Sequence, residues 1–103
     1  MTLVKVCKVV ELPPGEMLGI ESPDLPPVVV YNVDGEFFAT SNVCSHAVAM
    51  LSDGYLEGDQ IECPMHGGMF SVRTGEPTHF PCVEAIATFP VEVKDGEVFI
   101  DAP

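Results

Sequence analysis

The pattern of hydrophobic and polar residues along the chain predicts short β-strands joined by tight turns. Val28–Val33 is rich in β-branched residues, Asp34-Gly35 is typical of a two-residue hairpin turn, and Glu36–Ala39 continues with aromatic residues. The 10 prolines leave few stretches long enough for an ordinary helix. We therefore predict an all-β protein, in which residues 47–51 form the one helical turn and Ser52-Asp53-Gly54 ends it.

A second hairpin is predicted near the end of the chain. Val91–Lys94 and Glu97–Ile100 flank Asp95-Gly96, which repeats the turn sequence of the first hairpin. Apolar and charged residues alternate in the first of these strands, so its two valines should face a dry interior and its Glu and Lys should face water. We expect neither hairpin to contact a metal.

Two short segments between the hairpins combine cysteine with histidine. Cys44-Ser45-His46 and Cys63-Pro64-Met65-His66 each place one thiolate and one imidazole in a loop. Together they offer two sulfur and two nitrogen ligands, the set that structural zinc or an asymmetric iron-sulfur cluster requires. Zinc sites of this composition usually keep both cysteines in one knuckle and both histidines on one helix. Because each loop here carries one of each, an iron-sulfur cluster is favoured and structural zinc is the alternative.

These two loops also carry a family resemblance. The first resembles the Cys-x-His box of Rieske proteins, and Cys63–Phe70, with Gly75 beyond it, resembles their Cys-Pro-x-His-Gly-x-x-Phe box. The resemblance extends over essentially the whole chain and is closest to the small ferredoxins of bacterial aromatic-ring dioxygenase systems. It implies one Rieske 2Fe-2S cluster per chain, with the cysteines on one iron and the histidines on the other: Cys44, His46, Cys63 and His66.

The resemblance implies a Rieske fold of antiparallel sheets. A small cluster-binding lobe, at about residues 42–82, would be inserted in a base β-sandwich. Within the lobe, Gln60–Glu62 and Met69–Val72 are predicted to be the strands that hold the second ligand loop. At 103 residues with 47% hydrophobic side chains, residues 1–103 are predicted to form one domain.

The chain is strongly acidic, with 16 Asp and Glu against 4 Lys and Arg and a formal net charge of −12. Nucleic acids and anionic membranes are bound through cationic side chains, so neither is expected as a partner. No apolar stretch is long enough to span a membrane. The segment Met1–Cys7 runs into Glu11–Gly15 too soon for a signal peptide, so we expect a soluble, cytoplasmic monomer.

The remaining cysteines and histidine are predicted to have no role in metal binding. Cys7 and Cys82 are expected to be reduced structural thiols, because a reducing cytosol disfavours disulfides. His79 lies beside prolines and is expected to be solvated. Gly67 and Gly68 can adopt positive φ, and their backbone N–H groups could approach the cluster sulfurs.

No residues are left over to catalyse a reaction. The sequence has no dinucleotide-binding glycine motif, no second metal motif and no nucleophile with a spare histidine, so we predict that the protein is not an enzyme. The resemblance implies a carrier of single electrons from a flavoprotein ferredoxin reductase, fed by NAD(P)H, to a terminal Rieske oxygenase that attacks aromatic rings. The alternatives are a small Rieske subunit of a nitrite reductase-type complex and a zinc-stabilised binding module.

The residues around the ligands predict how such a carrier would dock and how strongly it would hold an electron. An apolar tip of Val48, Met50 and Met65 is predicted, with a rim of acids: Asp53, Glu57, Asp59 and Glu62. In respiratory Rieske proteins, which the motif also resembles, a disulfide joins the ligand loops and a Ser and a Tyr donate to sulfur. Their counterparts here can do neither, which predicts a potential of about −150 to −100 mV: Ala49, Met65, Gly68 and Phe70.

Overall fold

The all-β prediction is confirmed by a computed structural model of the chain, which describes residues 2–45, 49–65 and 67–102. These ranges contain eleven β-strands, arranged in three antiparallel sheets, and two short 3-10 turns, η1 (Val9–Glu11) and η2 (Leu51–Asp53). No helix within them is long and apolar enough to cross a membrane.

The strands follow one another as β1 (Thr2–Lys8), β2 (Met17–Ile20), β3 (Val28–Val33), β4 (Glu36–Ser41), β5 (Tyr55–Glu57), β6 (Gln60–Glu62), β7 (Met69–Ser71), β8 (Pro77–His79), β9 (Thr88–Phe89), β10 (Val91–Lys94) and β11 (Glu97–Ala102). The terminal sheet has the order β1-β11-β10, the central sheet β2-β3-β4-β9 and the ligand sheet β5-β6-β7-β8.

Both predicted hairpins are confirmed. β3 pairs with β4 in the register Val33↔Glu36, and β10 pairs with β11 in the register Lys94↔Glu97. In both turns an aspartate and a glycine adopt positive φ, at 51° and 94° for Asp34-Gly35 and at 53° and 75° for Asp95-Gly96. Positive φ at both central residues matches the right-handed twist of the flanking strands, which is why the Asp-Gly sequence forms a hairpin.

Strand β3 separates two hydrophobic cores. All its residues are buried, and successive side chains of a strand point to opposite faces, so Val29 and Tyr31 enter one core while Val28 and Val30 enter the other. The ligand-side core comprises Val29, Tyr31, Val33, Cys44, Leu51, Ile61, Cys63, Phe70, Val72, Cys82 and Ile86. The terminal core comprises Cys7, Leu12, Ile20, Leu25, Val28, Val30, Ala39, Val98 and Ile100.

Two details of the predicted strands and turns are wrong. Val93 was expected to face a dry interior but is 49% exposed, because β10 is the edge strand of the terminal sheet. Of the described residues in the helical turn predicted at 47–51, only Leu51 is in a 3-10 turn, and that turn runs on to Asp53. Met50 instead forms a β-bridge with Val43, and the 3-10 turn begins one residue later, at Leu51. The first two residues of that prediction, Ala47 and Val48, lie outside the described residues.

Candidate metal centre

The first ligand loop begins at the end of the central sheet and is closed by backbone pairing. Val43 and Met50 form an antiparallel bridge, and the Cys44 backbone N–H donates to the Ala49 carbonyl at 3.0 Å. Cys44 itself is 3% exposed. The pairing therefore brings both ends of the loop together and turns the cysteine toward the interior.

A buried asparagine fixes this loop to the 3-10 turn that follows it. The Asn42 carbonyl accepts from the Leu51 N–H at 2.7 Å, and its side-chain oxygen accepts from the Ser52 N–H at 2.8 Å. Its amide nitrogen donates to the Ser52 Oγ at 3.0 Å. Because Asn42 is only 4% exposed, these bonds satisfy polar groups that water cannot reach, and they hold the turn against the strand.

The second ligand loop connects β6 to β7, as predicted. The Cys63 N–H donates to the Gly68 carbonyl at 2.8 Å, which closes the loop at its base. Gly67 has the expected positive φ of 71°, but Gly68 is required for a different reason: a Cβ there would overlap the Cys82 sulfur. At Gly54, a Cβ would collide with the Glu62 carbonyl oxygen, so that glycine lets the turn after the first loop pack on the second.

The two loops bring their cysteines together in the ligand-side core. Cys63 is fully buried and lies in the same core as Cys44. Burial raises the pKa of the Cys63 thiol. The backbone N–H of Met65 opposes this change by donating to the sulfur, and the neighbouring Cys44 adds to it. Two buried sulfurs from facing loops, one already accepting a backbone N–H, suit a pair of metal-bound thiolates.

A third loop, which the sequence did not single out, completes this side of the site. It follows β8, contains a cis Phe80-Pro81 bond and carries Cys82, which is buried in the ligand-side core together with Cys44. The Ser45 hydroxyl donates to the Glu84 carbonyl at 2.7 Å, which ties this loop to the first ligand loop. Burial, together with the negative charge that Cys44 would carry as a thiolate, raises the pKa of Cys82 to about 12.

The prediction that Cys7 and Cys82 are not in disulfides is confirmed, but the two thiols lie in different places. Cys7 is in the terminal core, whereas Cys82 is beside the predicted ligand cysteines. The sequence did offer one signal for this position, because Cys82 is a third cysteine within the segment 42–82 that was predicted to bind the cluster. Its place in the same core as Cys44 depends on the long-range fold and could not be inferred from spacing.

The histidines divide into two groups. His46 and His66, the predicted nitrogen ligands, lie outside the residues that the structure describes. Among those described, no three His, Cys, Asp or Glu side chains are arranged to hold a metal ion. His79 is exposed, and its Nδ1 is 3.3 Å from the Thr78 hydroxyl, as expected for a solvated side chain.

Exposed hydrophobic side chains lie close in sequence to two of the buried cysteines. Met65 is 44% exposed, as the predicted apolar tip requires, whereas Met50 is partly buried. Val48 lies outside the described residues. The third loop adds two residues that the prediction missed, Phe80 at 85% and Val83 at 70% exposure. We call these three exposed residues the apolar rim: Phe80, Val83 and Met65. Each of them lies within two residues of Cys63 or Cys82.

Comparison with known proteins identifies the family. The Rieske [2Fe-2S] domain profile matches residues 2–90. Ferredoxin CarAc of Metapseudomonas resinovorans is 44% identical over 97 residues, which cover 94% of this chain and 91% of that protein. The biphenyl dioxygenase ferredoxin subunit of Pseudomonas sp. strain KKS102 is 45% identical over 102 residues, covering 98% and 93%. The chain therefore belongs to the Rieske [2Fe-2S] domain family.

Solved structures agree with this assignment. The Sphingomonas yanoikuyae B1 ferredoxin is 46% identical with a TM-score of 0.94, and the match covers 99% of this chain and 100% of that one. A chain in the complex of reduced oxygenase and oxidized ferredoxin in carbazole 1,9a-dioxygenase is 44% identical, with a TM-score of 0.91 and coverage of 95% and 91%. Two structures named as nitrite reductase small subunits, 21% and 23% identical, share the fold alone.

The chain is thus a Rieske-type ferredoxin that carries a 2Fe-2S cluster and transfers electrons rather than catalysing a reaction. The residues present fit this cluster, since Cys44 and Cys63 offer two buried sulfurs within one core. The zinc-stabilised binding module, weighed as an alternative, finds no support in these comparisons.

Proposed function

We propose that Cys44 and Cys63 bind one iron of the cluster and that His46 and His66 bind the other. The burial of both cysteines in the same core, one from each loop, supports the sulfur half of this assignment. The nitrogen half is supported by the sequence, because each histidine lies two or three residues after a ligand cysteine. Thiolates favour the iron that stays ferric, and imidazoles favour the iron that is reduced.

We further propose that the ferredoxin accepts single electrons from an NAD(P)H-dependent flavoprotein reductase and delivers them to a terminal aromatic-ring dioxygenase. When bound, the cluster supplies one-electron redox chemistry, and the chain supplies the surface through which partners approach it. The apolar rim is the observation that carries this proposal. Large exposed hydrophobic residues next to buried metal ligands are expected where a redox partner docks, since electron transfer needs a short path to the metal.

The charge of the chain complements this apolar surface. Within the described residues, Asp53 and Glu57 are exposed and Glu62 is partly exposed, all between the two ligand loops. With a net charge of −12, the protein would be attracted to a basic surface on its partners over distances comparable with the Debye length. An apolar centre with a charged surround forms weak interfaces that dissociate quickly, as a mobile carrier requires.

Two lysine substitutions test the docking surface. Phe80 and Val10 are both 85% exposed, but Val10 lies in η1, after the first strand of the terminal sheet. Phe80→Lys and Val10→Lys therefore change the net charge and the exposed apolar surface in comparable ways at different places. We expect Phe80→Lys to slow reduction of a purified aromatic-ring dioxygenase oxygenase component by about tenfold in stopped-flow measurements, and Val10→Lys to leave the rate within about twofold.

The same measurement has two further arms. Raising the salt concentration should slow the wild-type reaction through its encounter rate. Replacing the oxygenase with a flavoprotein reductase, and following ferredoxin reduction, tests whether the other partner uses the same face. Equal effects of the two lysine variants on the oxygenase reaction would place docking elsewhere on the molecule.

We also infer that residues 1–103 act as one domain and as a monomer in the cytoplasm. Strand β3 contributes residues to both cores, which supports one domain rather than two separate ones. Gel filtration should show the mass of one chain, limited proteolysis should release no stable fragment of residues 42–82, and cell fractionation should recover the protein with cytoplasmic markers. A stable excised fragment would contradict the single domain.

A further inference from the structure

We propose that Met65 is a site of reversible oxidation by hydrogen peroxide, and that its sulfoxide slows electron delivery to the oxygenase. This inference rests on the proposed docking surface, because Met65 belongs to the apolar rim. It adds a modification site to that surface. A carrier modified in this way would deliver fewer electrons while peroxide is present and would recover once the sulfoxide is reduced.

Met65 is the most exposed sulfur-containing residue among those that the structure describes. It is 44% exposed in the second ligand loop, whereas Met17, Met50 and Met69 are only partly exposed. Met1, the fifth methionine, lies outside the described residues. The four cysteines are all buried, with at most 6% exposure. Peroxide in solution therefore reaches Met65 more readily than the other described sulfur atoms.

The reaction transfers one oxygen atom from peroxide to the thioether. The sulfur attacks one peroxide oxygen, an S–O bond forms as the O–O bond breaks, and the leaving hydroxide takes up the remaining proton to become water. Sulfur is oxidised by two electrons and peroxide is reduced by two. Hydrogen peroxide is itself the two-electron reduction product of O₂, so a system that passes electrons toward an oxygenase holds both of its precursors. Methionine sulfoxide reductases reverse the change.

Oxidation would change the polarity of the apolar rim at one residue only. Phe80 and Val83 contain no sulfur, so Met65 is the rim side chain that peroxide converts. The sulfoxide is polar and holds water, which has to be removed when an apolar partner surface covers it. The encounter is then followed less often by a productive complex, and electron transfer to the partner slows.

The position of Met65 confines this change to the surface. Met65 belongs to neither hydrophobic core, whereas Met17 packs against the ligand-side core. A sulfoxide at Met17 would place a polar oxygen among core side chains, but one at Met65 faces solvent. The loop that carries Met65 stays closed at its base by the bond from the Cys63 N–H to the Gly68 carbonyl, at 2.8 Å. Fold and cluster content should therefore be kept while docking weakens.

The test treats the cluster-loaded ferredoxin with increasing doses of hydrogen peroxide and removes the excess with catalase. Stopped-flow measurements then give the rate of electron transfer to a purified aromatic-ring dioxygenase oxygenase component. Peptide mass spectrometry locates each sulfoxide, and iron and acid-labile sulfide are counted at each dose. Met65→Leu removes the oxidisable sulfur and keeps an apolar side chain. Met17→Leu is the matched control, because it makes the same substitution at a partly exposed methionine.

We expect Met65 to be oxidised first among the described methionines. At the dose that oxidises it, the wild-type rate should fall about three- to tenfold with iron and sulfide unchanged. Met17→Leu should lose the same fraction of its rate. Met65→Leu should stay within about twofold of its own untreated rate. Treatment of the oxidised wild type with a methionine sulfoxide reductase should restore the rate and remove the sulfoxide.

Three outcomes would overturn the proposal. Oxidation of another described methionine before Met65 would contradict its greater accessibility. Loss of iron and sulfide in step with the rate, or equal peroxide sensitivity in Met65→Leu, would assign the effect to the cluster. An unchanged rate with Met65 fully oxidised would show that the sulfoxide does not affect docking. Phe80→Lys in the same assay without peroxide then separates the two proposals: if it slows the reaction, only the oxidation inference fails, and if it does not, the docking surface fails as well.

Discussion

The ligand-side core and the terminal core are built on opposite faces of β3, but they are held together differently. The terminal core lies against a sheet whose strands pair along most of their length, with the register Val4↔Ile100 and Val91↔Ile100 across β11. The ligand-side core lies under three loops that contact one another through single hydrogen bonds and close backbone approaches.

This difference shows how a small chain can combine a stable sheet with a metal site. Regular strand pairing satisfies the backbone of the terminal sheet without help from a cofactor. In the ligand-side core three cysteines occupy positions where hydrophobic side chains would otherwise pack. We expect the cluster to contribute much of the stability there, because metal-binding free energy is folding free energy when the ligands lie inside a core.

The largest expected effect comes from removing a proposed ligand. Cys63→Ala should lose both irons and both acid-labile sulfides, whereas Cys7→Ala should keep them. In hydrogen exchange, the amides of β5–β8 should lose protection in Cys63→Ala while those of β11 keep most of theirs. His66→Ala is expected to behave like Cys63→Ala or to hold its cluster weakly. Uniform loss of protection over the whole chain would show that the two cores unfold as one unit.

The next largest effect compares matched core residues. Ile61 and Ile100 are both fully buried, one in each core. Truncating either to Ala leaves a cavity and should lower the free energy of unfolding by about 2–5 kcal/mol in chemical denaturation. Only Ile61→Ala should also speed loss of the cluster to a chelator, since Ile61 neighbours Cys63 along β6 and its loop. Equal rates of cluster loss in Ile61→Ala and Ile100→Ala would show that the ligand-side core does not stabilise the cluster separately from the terminal core.

The sequence predicted the parts of this molecule that depend on neighbouring residues. Asp-Gly turns and β-branched runs set both hairpins, because positive φ and strand propensity are local properties. The Cys-His spacing identified the family for the same reason. The edge position of Val93 was missed, because the alternation within β10 does not reveal which strand lies beside it.

The parts that could not be predicted depend on contacts between loops. Nothing near Cys82 in the sequence indicates that it shares a core with Cys44, 38 positions earlier by the difference of their residue numbers (82 − 44). The requirement for Gly68 comes from Cys82, and the requirement for Gly54 comes from the Glu62 backbone. Such close approaches arise only when the three segments pack together, so the residue that requires a glycine can lie far from that glycine in the sequence.

A smaller effect should distinguish the cores at alkaline pH. Tyr31 is fully buried, and burial raises its pKa well above the usual value near 10. The Thr40 hydroxyl donates to the Ser41 carbonyl at 2.9 Å, so the Tyr31 hydroxyl donates to Thr40. The folded state therefore keeps a proton that the unfolded chain releases above pH 10.

Stability should accordingly be independent of Tyr31 below about pH 9 and should fall above pH 10, by at most ~1.4 kcal/mol per pH unit from this residue. Tyr31→Phe should reduce that alkaline slope, and denaturant titrations between pH 8 and pH 11.5 would measure it. The raised pKa of buried Cys7 acts in the same direction, so Cys7→Ala serves as the comparison. An identical slope in Tyr31→Phe and the wild type would contradict the assignment.

The smallest effect concerns the connection between the ligand sheet and the central sheet. Arg73, just beyond β7, has its guanidinium carbon 4.8 Å from the Phe38 ring centre and pairs with Asp59 at 3.1 Å and Glu36 at 3.7 Å. Because Arg73 remains 42% exposed, water and salt screen these pairs. Arg73→Ala should lower the free energy of unfolding by about 1 kcal/mol, and Arg73→Lys, which keeps the charge but not the planar stacking, by about half of that. The Arg73→Ala effect should shrink as salt is added to the extent that ion pairing, rather than contact with Phe38, produces it. A loss that is equal for both variants and unchanged in 1 M salt would assign the whole effect to the ring contact.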